Sequence, residues 1–227
     1  MMLRKGISWM SHREISGLYA ITPDVIDTVN LVMLTQQALA GGAKLIQYRN
    51  KTANSILQLE QAASLVHLCR KFHVPLIIND DLDLAVEAGA DGVHLGMEDM
   101  AISEARRRLG AGKIIGASCY NQLKYAIEAE RHGANYVAFG AFFVSVTKPG
   151  AATVSISLLY QAKQYLHIPI VGIGGITLDN AAELIHKGAD AVAVSNSLFS
   201  AFDVQSEANK ISCLFKQTKY PICYLNK

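Results

Sequence analysis

Two groups of residues carry the charges and amides from which a reaction could be built. Gln47, Arg49 and Lys51 alternate along QYRNK (47–51), and Asn79, Asp80 and Asp99 fall at the ends of apolar runs in LIINDDLDLAVEAGADGVHLGMED (76–99). In an extended chain, alternation puts Gln47, Arg49 and Lys51 on one face, while Tyr48 and Asn50 point away. Polar side chains entering an interior together are costly unless they meet a ligand or a partner. Two cations suggest an anion, and a guanidinium fork suits phosphate oxygens. Asp80 and Asp99 could share a hard cation, since Mg2+ is usually held by one or two carboxylates plus substrate phosphates. Plainer readings stay open. The cations could form an internal ion-pair network with Asp80 or Asp99, and Asp99 could cap a helix from Ala101 onward.

Further candidates follow in chain order. Ser118 ends an apolar run and could offer a hydroxyl to the same mouth. Cys119 beside it has no base placed for it by the sequence and reads as a packing cysteine. His94, in mid-run, reads as a satisfied interior residue. Ser145, Val146, Thr147 and Lys148 lie in a long apparent loop, with the hydroxyls and ammonium a mobile phosphate clamp needs; an ordinary polar loop would look the same. Gly174-Gly175 lets backbone N–H groups approach a phosphate closely, and Ser195-Asn196 ends the last apolar run.

These residues need a scaffold that brings the ends of many strands together. Apolar runs of strand length alternate with helical patterns along the whole chain. The expected strands begin near residues 17, 45, 76, 92, 114, 136, 169 and 191, and eight helices lie between and after them. Gly42-Ala43-Lys44, Gly89-Ala90-Asp91, Gly133-Ala134-Asn135 and Gly188-Ala189-Asp190 each close a helix and open a strand. Their spacing, 47, 44 and 55 residues, is about two βα units each. The pattern predicts an α/β protein, a single (βα)8 TIM barrel over residues 17–217, with a leader at 1–16 and a tail at 218–227. Every candidate residue then falls at the carboxyl ends of strands, where such barrels place ligands, and the loops after strands seven and eight form their recurring phosphate site. A doubly wound sheet is the structural alternative, but no GxGxxG follows the first strand.

Composition narrows the function classes. A net charge of +2 over 227 residues gives no argument for nucleic acid or a membrane surface. No apolar run reaches membrane-spanning length and no signal peptide is visible. Four cysteines without a CxxC read as reduced thiols in a cytoplasmic protein. The implied partners are small molecules, with a homo-oligomer left open.

Taken in order, GLYAITP (17–23), QYRNK (47–51), INDD (78–81), ADGVHLG (90–96) followed by Asp99, IIGASC (114–119), SVTKPGA (145–151), IPIVGIGGIT (168–177) and ADAVAVS (189–195) resemble the thiamine phosphate synthase family. The resemblance covers nearly the whole chain, to about residue 217. It implies a transferase that joins hydroxymethylpyrimidine diphosphate to thiazole phosphate and releases diphosphate. It implies that the run from Gln47 through Tyr48, Arg49 and Asn50 to Lys51, with Asn79 and Lys148, binds the pyrimidine diphosphate. Asp80 and Asp99 would hold Mg2+, and Ser118 would lie beside the pyrimidine. Arg49, Lys51, Ser118 and Lys148 would carry catalysis. The thiazole phosphate would bind Ser145, Val146, Thr147, Gly175, Ser195 and Asn196. Met97, Val144 and Ser195-Asn196 depart from the family pattern, and none of these removes a charge or a metal ligand. A thiazole tautomerase of the same fold needs no diphosphate site, and a silent phosphate-binding barrel should have lost a charged site residue. Retention of Gln47, Arg49, Lys51, Asp80, Asp99 and Lys148 favours the synthase.

Overall fold

The computed structural model describes residues 15–144 and 153–218. Eight parallel strands close on themselves in sequence order, β1 (Gly17–Ile21), β2 (Leu45–Tyr48), β3 (Leu76–Asn79), β4 (Gly92–Leu95), β5 (Ile114–Tyr120), β6 (Tyr136–Phe139), β7 (Ile170–Ile173) and β8 (Ala191–Val194). The helices are α1 (Thr28–Ala40), α2 (Ser55–Phe72), α3 (Leu82–Glu87), α4 (Ile102–Leu109), α5 (Leu123–Arg131), α6 (Ser157–Tyr165), α7 (Leu178–His186), α8 (Asn196–Phe199) and α9 (Val204–Thr218). The (βα)8 barrel is therefore as the alternating pattern predicts, with one helix more. The four-residue α8 is too short to show a helical period in sequence.

The chain builds two cores from one alternation. Tyr19, Ile21, Leu45, Ile77, Tyr136, Ala138, Val171, Ala191 and Ala193 pack together as one cluster, the filling of the barrel. Their sequence neighbours Leu18, Ala20, Ile46, Ile78, Val93, Val137, Ile170 and Val192 turn outward into the layer shared with the helices. Ile15, expected in the leader, is buried with the inner cluster.

The glycine repeat has a physical reading at both ends. Gly42, Gly89, Gly133 and Gly188 all have positive φ, the left-handed conformation that ends a helix without a Cβ penalty. Two residues later, in three of the four copies, a side chain staples neighbouring strands. Asp91 accepts from Leu76 N at 2.9 Å, Asn135 from Ile115 N at 2.8 Å and Asp190 from Ile170 N at 2.7 Å. Lys44, in the first copy, has no side-chain acceptor. These staples lie at the amino ends of the strands, which leaves the carboxyl ends free for chemistry.

Candidate active site at the carboxyl ends of the strands

The QYRNK run leaves β2 with its faces divided as alternation requires. Gln47 is 3 % exposed and donates from Nε2 to the Tyr19 hydroxyl at 2.8 Å, inside the barrel. Tyr48 and Asn50 point the other way. The Tyr48 hydroxyl donates to Gln61 Oε1 on α2 at 2.8 Å, and Asn50 Nδ2 donates to the same oxygen at 3.0 Å. Their side chains are thus engaged by α2, and both residues line a pocket with Arg49, Lys51 and Asp80. They hold the loop while Arg49 and Lys51 stand above it, part-exposed. Asn50 Oδ1 also accepts from Thr52 N and Ala53 N, both at 3.1 Å, and so shapes the turn into α2.

Two residues of the first strand's exit, missed in the sequence, fix the cations. Thr22 Oγ1 accepts from Arg49 N at 3.0 Å, and Asp24 accepts from Lys51 N at 2.8 Å and from Arg49 Nη1 at 3.5 Å. The ion-pair alternative is partly realised. Arg49 pairs with Asp24, and Lys51 Nζ lies 3.7 Å from Asp80 Oδ2. Both pairs are open to solvent, so neither satisfies the cations as a buried network would.

Asp80 leaves β3 at φ +62, a left-handed conformation uncommon for a residue other than glycine. Its backbone N–H donates to the His94 carbonyl at 2.8 Å, which ties the end of β3 to β4. Burial and the facing Asp99 carboxylate hold the Asp80 carboxyl above its ordinary range, against smaller opposing effects of Lys51 and Asn79. Asp99 does not cap α4, whose cap residue Ala101 makes no side-chain bond. It folds back instead to accept from Gly96 N at 2.6 Å, which aims it at Asp80. Asp81 and Asp83 start the helix that follows β3. Asp81 caps α3 by accepting from Leu84 N at 2.9 Å, and Asp83 in the first turn pairs with Arg108.

Two carboxylates in contact, one raised in pKa by the other, want a proton or a cation between them. Their hard oxygen donors fit Mg2+, and two protein ligands are what that ion takes when substrate phosphates complete its shell. Among the described residues no group of three or more His, Cys, Asp or Glu side chains could hold a metal ion, so an all-protein cage is not part of this site.

Ser118 lies part-exposed on β5, with its Oγ 2.9 Å from His94 Nε2. His94 is 6 % exposed, and burial lowers its imidazole to about 4, so the ring is neutral near pH 7. Its other nitrogen, Nδ1, is 3.0 Å from the Tyr136 hydroxyl. Burial pushes the phenols of Tyr19 and Tyr136 up, so both keep their protons. Cys119 is buried behind Ser118, its thiol pushed up to about 12, consistent with a packing role.

Across the mouth, Gly175 has φ +64, and a Cβ there would lie 2.6 Å from the carbonyl oxygens of Phe143 and Val144. The β7 exit therefore abuts the backbone of Phe143 and Val144. Ser145, Val146, Thr147 and Lys148 lie outside the described residues. Ser195 precedes α8, and its side chain makes no cap bond. Asn196 accepts from Ser200 Oγ at 2.7 Å, and Ser197 Oγ donates to the Ile176 carbonyl at 2.6 Å, joining the exits of β7 and β8.

Comparisons with known proteins identify the family. A family model described as thiamine monophosphate synthase matches residues 18–198. The thiamine-phosphate synthase of Nitrosospira multiformis is 63 % identical over 216 residues, 95 % of this chain and 92 % of that one. The thiamine-phosphate synthase of Nitrosomonas eutropha is 56 % identical, over 91 % of this chain and 97 % of that one. Among solved structures, the thiamine phosphate pyrophosphorylase from Pyrococcus furiosus superposes with a TM-score of 0.82 at 34 % identity, covering 91 % of this chain and 98 % of that one. With its family match running from the first strand to the short helix after the last, this chain belongs to the thiamine monophosphate synthase family.

Proposed function

We propose that this protein is a thiamine phosphate synthase, joining hydroxymethylpyrimidine diphosphate to thiazole phosphate with release of diphosphate. The observation that carries the reading is the meeting of Arg49 and Lys51 with the Asp80–Asp99 pair at the adjacent exits of β2, β3 and β4. A tautomerase acting on the thiazole precursor needs no such diphosphate site.

In this reading the carbon–oxygen bond to the diphosphate breaks first, and the leaving group takes the electron pair. The methylene cation is stabilised by the electron-rich aminopyrimidine, and the thiazole nitrogen lone pair closes the new carbon–nitrogen bond. No proton need be removed by a strong base in this reading. Gln47, Asn79 and Ser118 orient the pyrimidine. Arg49, Lys51 and Lys148 take up the charge that grows on the leaving oxygens. Asp80 and Asp99 would hold Mg2+, which would supply further positive charge to the diphosphate. Ser145, Val146, Thr147, Gly175, Ser195 and Asn196 hold the thiazole phosphate, so that its nitrogen lies in line with the departing bond. Tyr48 and Asn50 serve through the loop backbone they anchor.

The location is cytoplasmic, a reading supported by the free thiols of Cys69, Cys119 and Cys213. Among the described residues, no helix is long and apolar enough to cross a membrane. Small molecules are its partners in this reading, and a homo-oligomer is compatible with it.

Purified protein given both substrates and Mg2+ is expected to form thiamine phosphate and diphosphate, read by chromatography. Chelation of the metal should stop turnover and added Mg2+ should restore it. A folded protein that makes no product with excess metal would reject the reading. Isomerisation of the thiazole precursor without pyrimidine diphosphate would support a tautomerase instead.

A further inference from the structure

Five polar side chains form one hydrogen-bonded chain across the barrel interior. Gln47 Nε2 donates to the Tyr19 hydroxyl at 2.8 Å, and the Tyr19 and Tyr136 hydroxyls meet at 2.7 Å. Tyr136 lies 3.0 Å from His94 Nδ1, and His94 Nε2 lies 2.9 Å from Ser118 Oγ. The residues come from β2, β1, β6, β4 and β5, so the chain crosses the barrel and links Gln47 to Ser118. The backbone is shaped around it. A Cβ on Gly116 would lie 2.3 Å from the Tyr136 hydroxyl oxygen and 2.5 Å from His94 Nδ1.

The chain has a direction. An amide nitrogen donates and cannot accept, so Gln47 fixes the Tyr19 oxygen as an acceptor. The Tyr136 oxygen is the acceptor in reach of the buried Tyr19 hydrogen, and with that place taken the Tyr136 hydrogen turns to His94 Nδ1. A neutral imidazole that accepts at Nδ1 carries its proton on Nε2. His94 therefore donates to Ser118 Oγ, and the Ser118 hydrogen is left for a group at the mouth.

We propose that His94 is a positioning residue, held as the Nε2–H tautomer by the Gln47–Tyr19–Tyr136 chain so that Ser118 donates to an acceptor atom on the substrate ring. The ligand this selects is a heteroaromatic ring with a lone-pair nitrogen at that place, which is the pyrimidine under the function proposed above, on which this inference rests. A ring turned to present an N–H there meets a donor and is rejected, because a buried polar group without a partner is costly. Gln47 and Ser118 then act as two ends of one unit. A purely structural chain would satisfy the same buried atoms and affect stability without favouring one substrate.

Two measurements decide between these. In full-length protein labelled with nitrogen-15 histidine, long-range proton–nitrogen correlations near neutral pH are expected to show His94 protonated at Nε2 and bare at Nδ1. The signals are assigned by their loss in His94→Gln. A proton on Nδ1 would overturn the proposal, and this reading stands even if the parent protein lacks synthase activity. In turnover, Tyr136→Phe is expected to raise the KM for the pyrimidine diphosphate about 5–10-fold, the effect of one lost hydrogen bond, and to leave the thiazole phosphate KM within about twofold. Parallel changes in both constants, or none, reject the proposal. If Tyr136→Phe does not fold, His94→Gln and His94→Leu replace it. Gln can turn an N–H to Ser118 and a carbonyl to Tyr136, so it should keep the pyrimidine KM within about threefold while Leu raises it about tenfold. Equal behaviour of those two variants also rejects it.

Discussion

Asp80→Asn is expected to lower Mg2+-dependent turnover by on the order of 10²–10³-fold, the loss usual for removing one preorganised charge-stabilising contact. Asn keeps the size of the side chain and tolerates the left-handed backbone at φ +62, which alanine would resist. The variant should therefore keep the parent's far-UV circular dichroism, and the loss can be assigned to chemistry. It should also need more Mg2+ for half-maximal rate, because Asp99 alone remains to bind the ion from the protein side. Rates near the parent's at saturating Mg2+ would reject Asp80 as a ligand.

The second large effect is on folding. Gly116→Ala puts a methyl group 2.1 Å from Tyr136 Cζ and 2.3 Å from its hydroxyl oxygen, inside a filled barrel. Tyr136 is fully buried and cannot withdraw into solvent. Overpacking of this kind costs about 2–4 kcal/mol, which for a chain of this size lowers Tm by roughly 5–12 °C. Gly112→Ala is the control, since nothing lies within 4 Å of its Cβ position and it should melt with the parent. Equal melting of the two variants would mean that the interior yields more easily than the close packing of Tyr136 against His94 implies.

Much of this was legible in the sequence because barrel geometry is local in period. Alternation along QYRNK separates Gln47 from Tyr48, and the glycine repeat marks where helices stop. Pairings across the barrel have no such period. Asp24 reaches Lys51 over 27 residues, and Tyr19 reaches Tyr136 over 117. A clue to the tyrosines existed. Tyr19 shares the inward parity of Ile21 on β1 and Tyr136 that of Ala138 on β6, and a hydroxyl in a barrel interior requires a partner. Asp99 was ambiguous for a different reason. An acid two residues before a helix reads as a cap, and the tight return to Gly96 that aims it at Asp80 depends on a loop conformation no spacing reveals. His94 reads as interior from its place in mid-strand, and it is; its link to Ser118 depends on β4 lying beside β5.

The backbone at Asp80 has a consequence for how this protein can be improved. A left-handed aspartate beside a second carboxylate is a poor choice for stability and a good one for holding a cation. Glycine would relieve the backbone and asparagine the charge repulsion. A library selected for heat resistance alone should therefore enrich Asp80→Gly and Asp80→Asn, and every such survivor should be a well-folded barrel with strongly reduced turnover. Selecting the same library for growth without added thiamine should return Asp80 in the survivors. Enrichment of neither replacement under heat would show that the conformation costs the fold little. The two selections pull one position in opposite directions, so thermostable forms of this protein have to be sought at the amino ends of the strands, where Asp91, Asn135 and Asp190 hold the barrel together away from the chemistry.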